Sequence, residues 1–362
     1  MRHLKAAAIA ACALFAAPAY AATDIELPYE QFELKNGLKV IVHEDAKAPL
    51  VAVSIWYHVG SKDEPAGKTG FAHLFEHLMF NGSENYKGEW FAPLEEVGAT
   101  DLNGTTWFDR TNYFQTVPTT AVERVLWMES DRMGHLLGAV DQAVLDEQRG
   151  VVQNEKRQGD NQPYGRAEYS VLAGLLPAGH PYAHSTIGSM EDLDAASLDI
   201  VQEWFKEYYG AANAVLVLAG DITVETAKPL VEKYFGDIPA GPPLTQTHAD
   251  APKLAVDKHE TMFDLVPQPR INRNWVAPSR TSREAVLLTL AADVLGGGKT
   301  SRLYQKLVYE LEIATNASAD NDAHELMSFY SVTVDAKKDK DLATVEAEME
   351  KVVADFLAKG PT

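Results

Sequence analysis

The chain has 362 residues, more than one compact core of ~150 residues usually holds, so two domains are expected. At 46% hydrophobic and 23% charged it is a globular sequence, neither collagenous, coiled-coil nor disordered. A formal net charge of -20 supplies no clustered Lys and Arg for phosphate and excludes a nucleic-acid partner; the acidic excess reads first as a solvated surface and second as an attraction for basic peptides.

Residues 1–21 read as an export signal, with Arg2, His3 and Lys5 ahead of an apolar run over 6–17 and Ala19-Tyr20-Ala21 as a small-x-small cleavage site. That run is too short to span a bilayer, and no later stretch approaches the ~20 continuous apolar residues of a transmembrane helix. The expected location is the periplasm or the exterior, with no stable membrane anchor. Cys12 is the single cysteine and lies within the signal, so disulfide and thiol chemistry are excluded from the processed chain.

Strands are expected over 32–34 and 38–42, flanking the Asn36-Gly37 hairpin signal, and again over 50–57. A helical pattern runs from Gly70 through Met79 and stops at Asn81-Gly82, followed by a short helix over 90–97. Then come a strand over 111–117, helices over 122–137 and 141–157, and a strand over 215–219. Pro239, Gly241, Pro242, Pro243 and Pro252 mark an aperiodic linker. This places a first domain at 24–237, the linker at 238–252 and a second domain at 253–362.

Past the linker a strand over 271–276, a helix over 285–295 and Gly296-Gly297-Gly298 restart the order of elements, as an internal repeat would. Laying 288–297 over 73–82 puts Leu288, Ala291 and Ala292 where His73, Glu76 and His77 stand, so only the first copy can bind a metal. The GGGKTS stretch is not a P-loop, because Asp293 stands where that motif requires a glycine.

The chemistry rests on His73-Leu74-Phe75-Glu76-His77. Positions four apart share a helix face, so the two imidazoles can converge on one ion, and Glu76 lies near the same face. Imidazole nitrogen is a good zinc ligand, and a carboxylate beside the bound water can take its proton while the metal lowers the water's pKa toward ~7. Catalytic zinc takes three protein ligands, which calls for a third from elsewhere; Glu155, on a helical stretch over 146–157, is the candidate. A pair of helical histidines is more often a packed feature than a site, and the string with its acid is what favours zinc, one per chain. His43, His58, His135, His180 and His184 lack such spacing and read as structural.

His-x-x-Glu-His is the inverse of the commoner zinc-peptidase string, and the chain resembles the pitrilysin/insulinase family of inverzincins, related to the processing peptidases. The resemblance covers 67–83 as GKTGFAHLFEHLMFNGS, 98–118 as GATDLNGTTWFDRTNYFQTVP, 148–158 as QRGVVQNEKRQ and, past the linker, LGGGKTSRLYQKL. It implies an α+β chain of two homologous domains, each a mostly antiparallel sheet packed with helices, the second incomplete and non-catalytic. It also implies a zinc metalloendopeptidase acting on extended or unfolded peptides, with His73, His77 and Glu155 on zinc and Glu76 as general base.

Asn103 matches a family position that contacts substrate backbone on an edge strand, a mode that main-chain hydrogen bonds make loose in sequence preference. Gln148 departs from the family, where many members carry a second glutamate; two turns before Glu155, it could orient that ligand but not add charge. The Arg and Tyr that family members draw from a later domain have no assignable counterpart, so a complete chamber would need further domains or a partner chain. The alternative is a non-catalytic, peptide-holding subunit of a peptidase complex, which the intact His73, Glu76 and His77 disfavour.

Overall fold

Alternating burial builds the first sheet. In the computed structural model, which describes residues 26–361, β1 (Glu30–Glu33), β2 (Lys39–Glu44), β3 (Leu50–Tyr57), β4 (Thr100–Thr106), β5 (Thr111–Pro118) and β6 (Ala214–Gly220) lie in the order β1-β2-β6-β3-β5-β4. The export signal read at 1–21 and the domain start at 24 lie outside the described residues. Along β3, Val51, Val53, Ile55 and Tyr57 face the core while Trp56 faces out. Only the β2–β6 pair is parallel, and β4 forms an edge.

Eight helices accompany this sheet: α1 (Phe71–Leu78), α2 (Ala92–Glu95), α3 (Val122–His135), α4 (Gln142–Asn161), α5 (Ala167–Leu175), α6 (Met190–Asp194), α7 (Leu198–Tyr208) and α8 (Val224–Phe235). The helix expected over 90–97 shortens to α2, and the backbone N–H of Trp90 ahead of it donates to Phe80 O of the preceding turn. α4 starts where Asp141 accepts from Val144 N and runs past 157 to Asn161.

A second sheet follows with β7 (Arg270–Ala277), β8 (Ala314–Ala323) and β9 (Ser328–Ala336) in the order β7-β9-β8, accompanied by α9 (Arg283–Gly296), a π-helical turn (Tyr304–Glu310) and α10 (Leu342–Lys359). Strand, helix, short helix, two strands, helix is also the order of β3-α1-α2-β4-β5-α3, and β7-β9-β8 repeats the neighbour order β3-β5-β4. The chain is α+β, and its two domains share one plan. In α1's place α9 carries Leu288, Ala291 and Ala292, none of which can donate to a metal.

Between Phe235 and Arg270 no helix or strand forms, so the irregular segment runs on to 269 rather than ending at 252. Val256, Phe263 and Leu265 within it stay exposed and therefore nucleate no packed element. Among the described residues no helix is long and apolar enough to cross a membrane.

Arg132 is a fully buried cation in the first core. It stacks between Trp90 and Tyr113, 4.2 and 4.1 Å from their ring centroids, and donates twice to Glu129, which also accepts from Gln115 at 2.9 Å. Glu129→Gln strands that charge and is expected to lower stability by about 3–5 kcal/mol in chemical denaturation.

The domains meet over an apolar cluster of Phe108, Leu172, Leu175, Leu176, Tyr182 and Met327. Beside it Glu325 lies 2.8 Å from His58 Nε2 and 2.7 Å from Arg280 and pairs with Lys62, which also reaches Asp109 at 3.3 Å. Burial works against the Glu325 charge, but the hydrogen bonds and charges of His58 and Lys62 outweigh it and hold the carboxyl at about 2. The folded value lies below the unfolded carboxylate range near ~4.3, so this stabilisation is complete above that range and is lost as pH falls toward 2. The gap in urea midpoint between wild type and Glu325→Gln is expected to be wide at pH 6 and to narrow on acidification from about pH 4.

Candidate metal and active site

The short helix α1 is held at both ends. Gly70, at φ 90°, makes the left-handed entry turn, and the buried Glu64 carboxyl accepts from the backbone N–H of Gly70 at 2.9 Å and of Ala72 at 2.7 Å. At the far end Asn81 Nδ2 donates to His77 O at 3.0 Å. Leu74, Phe75 and Leu78 enter the core, which turns His73 and His77 toward α4.

There they meet Glu155. Its Oε2 lies 3.6 Å from His73 Nε2 and 3.3 Å from His77 Nε2, and one donor atom from each of the three residues falls within 4.8 Å of the others. The two rings stand edge-on at 4.8 Å. Burial, with a smaller contribution from the charge of His77, pushes His73 down to about 4, so near neutrality its imidazole keeps a free lone pair. His73 Nδ1 is buried without a hydrogen-bond partner among the described residues, so no bond at that nitrogen orients the ring. Two imidazoles and one carboxylate fit a catalytic zinc, which leaves a fourth position open.

Glu76 is not part of that group. It is buried, and its Oε2 accepts from Thr106 Oγ1 of β4 at 2.6 Å. Burial raises the carboxyl most, the Thr106 hydrogen bond and Arg110 oppose it and the Glu155 charge reinforces it, leaving Glu76 at about 7. A carboxyl poised there can both take and return a proton at neutral pH.

Gln148 is buried on α4, but its amide donates to Asn81 Oδ1 at 3.3 Å and not to Glu155. It braces α4 against the end of α1 instead of orienting the third ligand. Asn103 is exposed on edge strand β4, with its Oδ1 accepting from Gly104 N at 2.9 Å. The five histidines read as structural lie apart from the cluster: His58 on Glu325, His135 on Glu84 at 3.5 Å, His184 on Glu64 at 3.6 Å, His43 on Pro28 O at 2.6 Å, and His180 Nδ1 accepting from Tyr182 N at 3.1 Å. Reasoning from the sequence misses Asn81 and Thr106, whose roles depend on side-chain bonds across elements and leave no spacing signal.

Two family models match this chain, one described as insulinase, peptidase family M16, over residues 39–175 and one described as peptidase M16 inactive domain over residues 195–362. The chain belongs to the M16, or insulinase, peptidase family. The first M16 match contains His73, Glu76, His77 and Glu155; the second begins before β6, a strand of the first sheet. The zinc protease PqqE of Helicobacter pylori is 29% identical over 301 residues, covering 81% of this chain. This chain spans 66% of that relative's length, just under two thirds.

Among solved structures, a protease from Helicobacter pylori superposes with a TM-score of 0.82 at 24% identity, covering 92% of this chain and 81% of that one. The first half of the periplasmic protease PqqL of Escherichia coli gives 0.70 at 19% identity, covering 92% and 73%. These likenesses establish the fold. Relatives of this M16 chain, PqqE of Helicobacter pylori among them, are named zinc proteases.

Proposed function

We propose that this M16 chain is an exported zinc metalloendopeptidase that cleaves extended or unfolded peptides, with His73, His77 and Glu155 as metal ligands and Glu76 as general base. The observation that carries the reading is the convergence of three donor atoms within 4.8 Å beside a separate buried carboxyl. Zinc held there would supply Lewis acidity toward the scissile carbonyl and acidify the attacking water. The chain's own residues do the rest. His73 and His77 present neutral imidazoles, Glu76 accepts the water's proton and can return it to the leaving amine, and β4 offers unpaired backbone groups to an extended peptide.

The position of β4 supports the substrate class, because the strand that carries Asn103 at the sheet edge also carries Thr106, which bonds Glu76. A peptide laid along that edge would pass the base. Folded proteins cannot offer a free strand, so unfolded or short peptides are the expected substrates. Completing the chamber would take further domains or a partner chain, as the family's longer relatives suggest.

The test is zinc content and hydrolysis of a quenched unstructured peptide. About one zinc per chain with chelator-sensitive cleavage is expected. Zinc without cleavage would favour the peptide-holding reading, and no zinc would overturn the proposal.

A further inference from the structure

The turn between β4 and β5, residues 106–110, touches both the base and the second domain. At its start Thr106 Oγ1 donates to Glu76 Oε2. The other hydroxyl in reach, Thr111 Oγ1 at 3.4 Å, already donates to Val59 O at 3.0 Å, which leaves the Thr106 proton to Glu76. One residue on, Trp107 Nε1 lies 3.2 Å from His324 Nε2. Phe108 packs against His324 and Phe329 with centroids 5.0 and 6.0 Å away. Asp109 accepts from the backbone N–H of Glu325 at 2.9 Å and from Tyr182 OH at 2.5 Å, and that same hydroxyl receives Leu326 N at 2.9 Å.

His324, Glu325 and Leu326 form the loop that joins β8 to β9 in the second domain. The turn is therefore fixed at three successive residues to the domain that holds no part of the His73, His77 and Glu155 group, and at its first residue to the carboxyl beside that group. A base that must meet a water at one place gains from a fixed carboxylate, since small misplacements lower rates steeply.

We propose that the second domain sets the position of the base: loop 324–327 holds the 106–110 turn, and Thr106 is the positioning residue through which that hold reaches Glu76. This rests on Glu76 acting as the general base. A merely structural Thr106 would be a satisfied buried hydroxyl whose loss lowers stability and leaves turnover alone.

The experiment compares wild type, Thr106→Val, Thr106→Ser and Trp107→Phe of the zinc-loaded full chain. It measures kcat and KM on an unstructured peptide, zinc content, and hydrogen exchange of the amides over 103–110. Thr106→Val is expected to lower kcat roughly 10- to 100-fold with KM and zinc content unchanged, and Thr106→Ser to restore it. Trp107→Phe keeps an aromatic ring at the position but removes the indole N–H with the pyrrole half of the ring; it is expected to speed exchange over 103–110 and to lower kcat several-fold. Wild-type kcat in Thr106→Val, or faster exchange in Trp107→Phe with unchanged kcat, overturns the proposal. Were zinc-loaded wild type inactive, the peptidase reading would fail by itself, and exchange would still decide the hold of the loop: faster in Trp107→Phe supports it, unchanged overturns it.

Discussion

Glu76→Gln is expected to lower peptide turnover by roughly 10²–10⁴-fold while leaving zinc content at the wild-type level. The expectation follows from the separation of roles at the site. The donor group is His73, His77 and Glu155, and Glu76 makes its hydrogen bond to Thr106 instead. The amide matches the carboxyl in shape, so the packing of α1 on β4 and β5 is kept and only proton acceptance is lost. Glu76 sits at about 7 without metal, and a nearby dication favours the charged form. The acid limb of the wild-type pH–rate profile should therefore fall below 7, with activity decreasing as pH drops through it. A Glu76→Gln protein that keeps most of its turnover would show that another group takes the proton.

His77→Ala is expected to lower zinc affinity by more than roughly 100-fold and to abolish turnover. It leaves Glu155 with one imidazole partner at 3.6 Å and no second donor across from it. Zinc at about 100 times its dissociation constant stabilises the wild type by about 2.7 kcal/mol. A chelator should therefore lower the melting temperature of wild type and leave that of His77→Ala unmoved. If both proteins melt alike with and without zinc, the ion is not held by this group.

The metal string was legible because its information is local: histidines four apart on a helix face one way whatever the rest of the chain does. Glu155 lies far along the chain, where its helical stretch makes it a candidate but no spacing ties it to the histidines, and the family resemblance supplies that link. Thr106 was out of reach, since its meaning comes from a bond across thirty residues to Glu76. β4 itself reads poorly as a strand, because Asp101, Asn103 and Gly104 are weak strand formers, and its pairing with β5 and packing under α1 override that preference. β8, with small and polar residues such as Asn316, Ser318 and Asp320, hides for the same reason: it is held by β9 and buries only Ala314, Ala317 and Asn321 along its length. The parallel insertion of β6 between β2 and β3 is a long-range choice that no window of sequence contains.

The irregularity in β4 carries a consequence for length. Between Thr100 and Asn103 the pairing with β5 slips, and Asp101 sits at φ 55°, so the regular ladder of this edge spans only Asn103 to Thr106. Four residues at strand rise make a ruler of about 13 Å. A peptide aligned on it would be gripped over a few bonds and left free on both sides, with alternate side chains turned away from the sheet. Such a gauge counts backbone and is nearly blind to spelling: it would accept many sequences, stop short of stiff or proline-rich ones, and leave any finer choice to surfaces at its two ends, where Asp101 and Trp107 stand exposed.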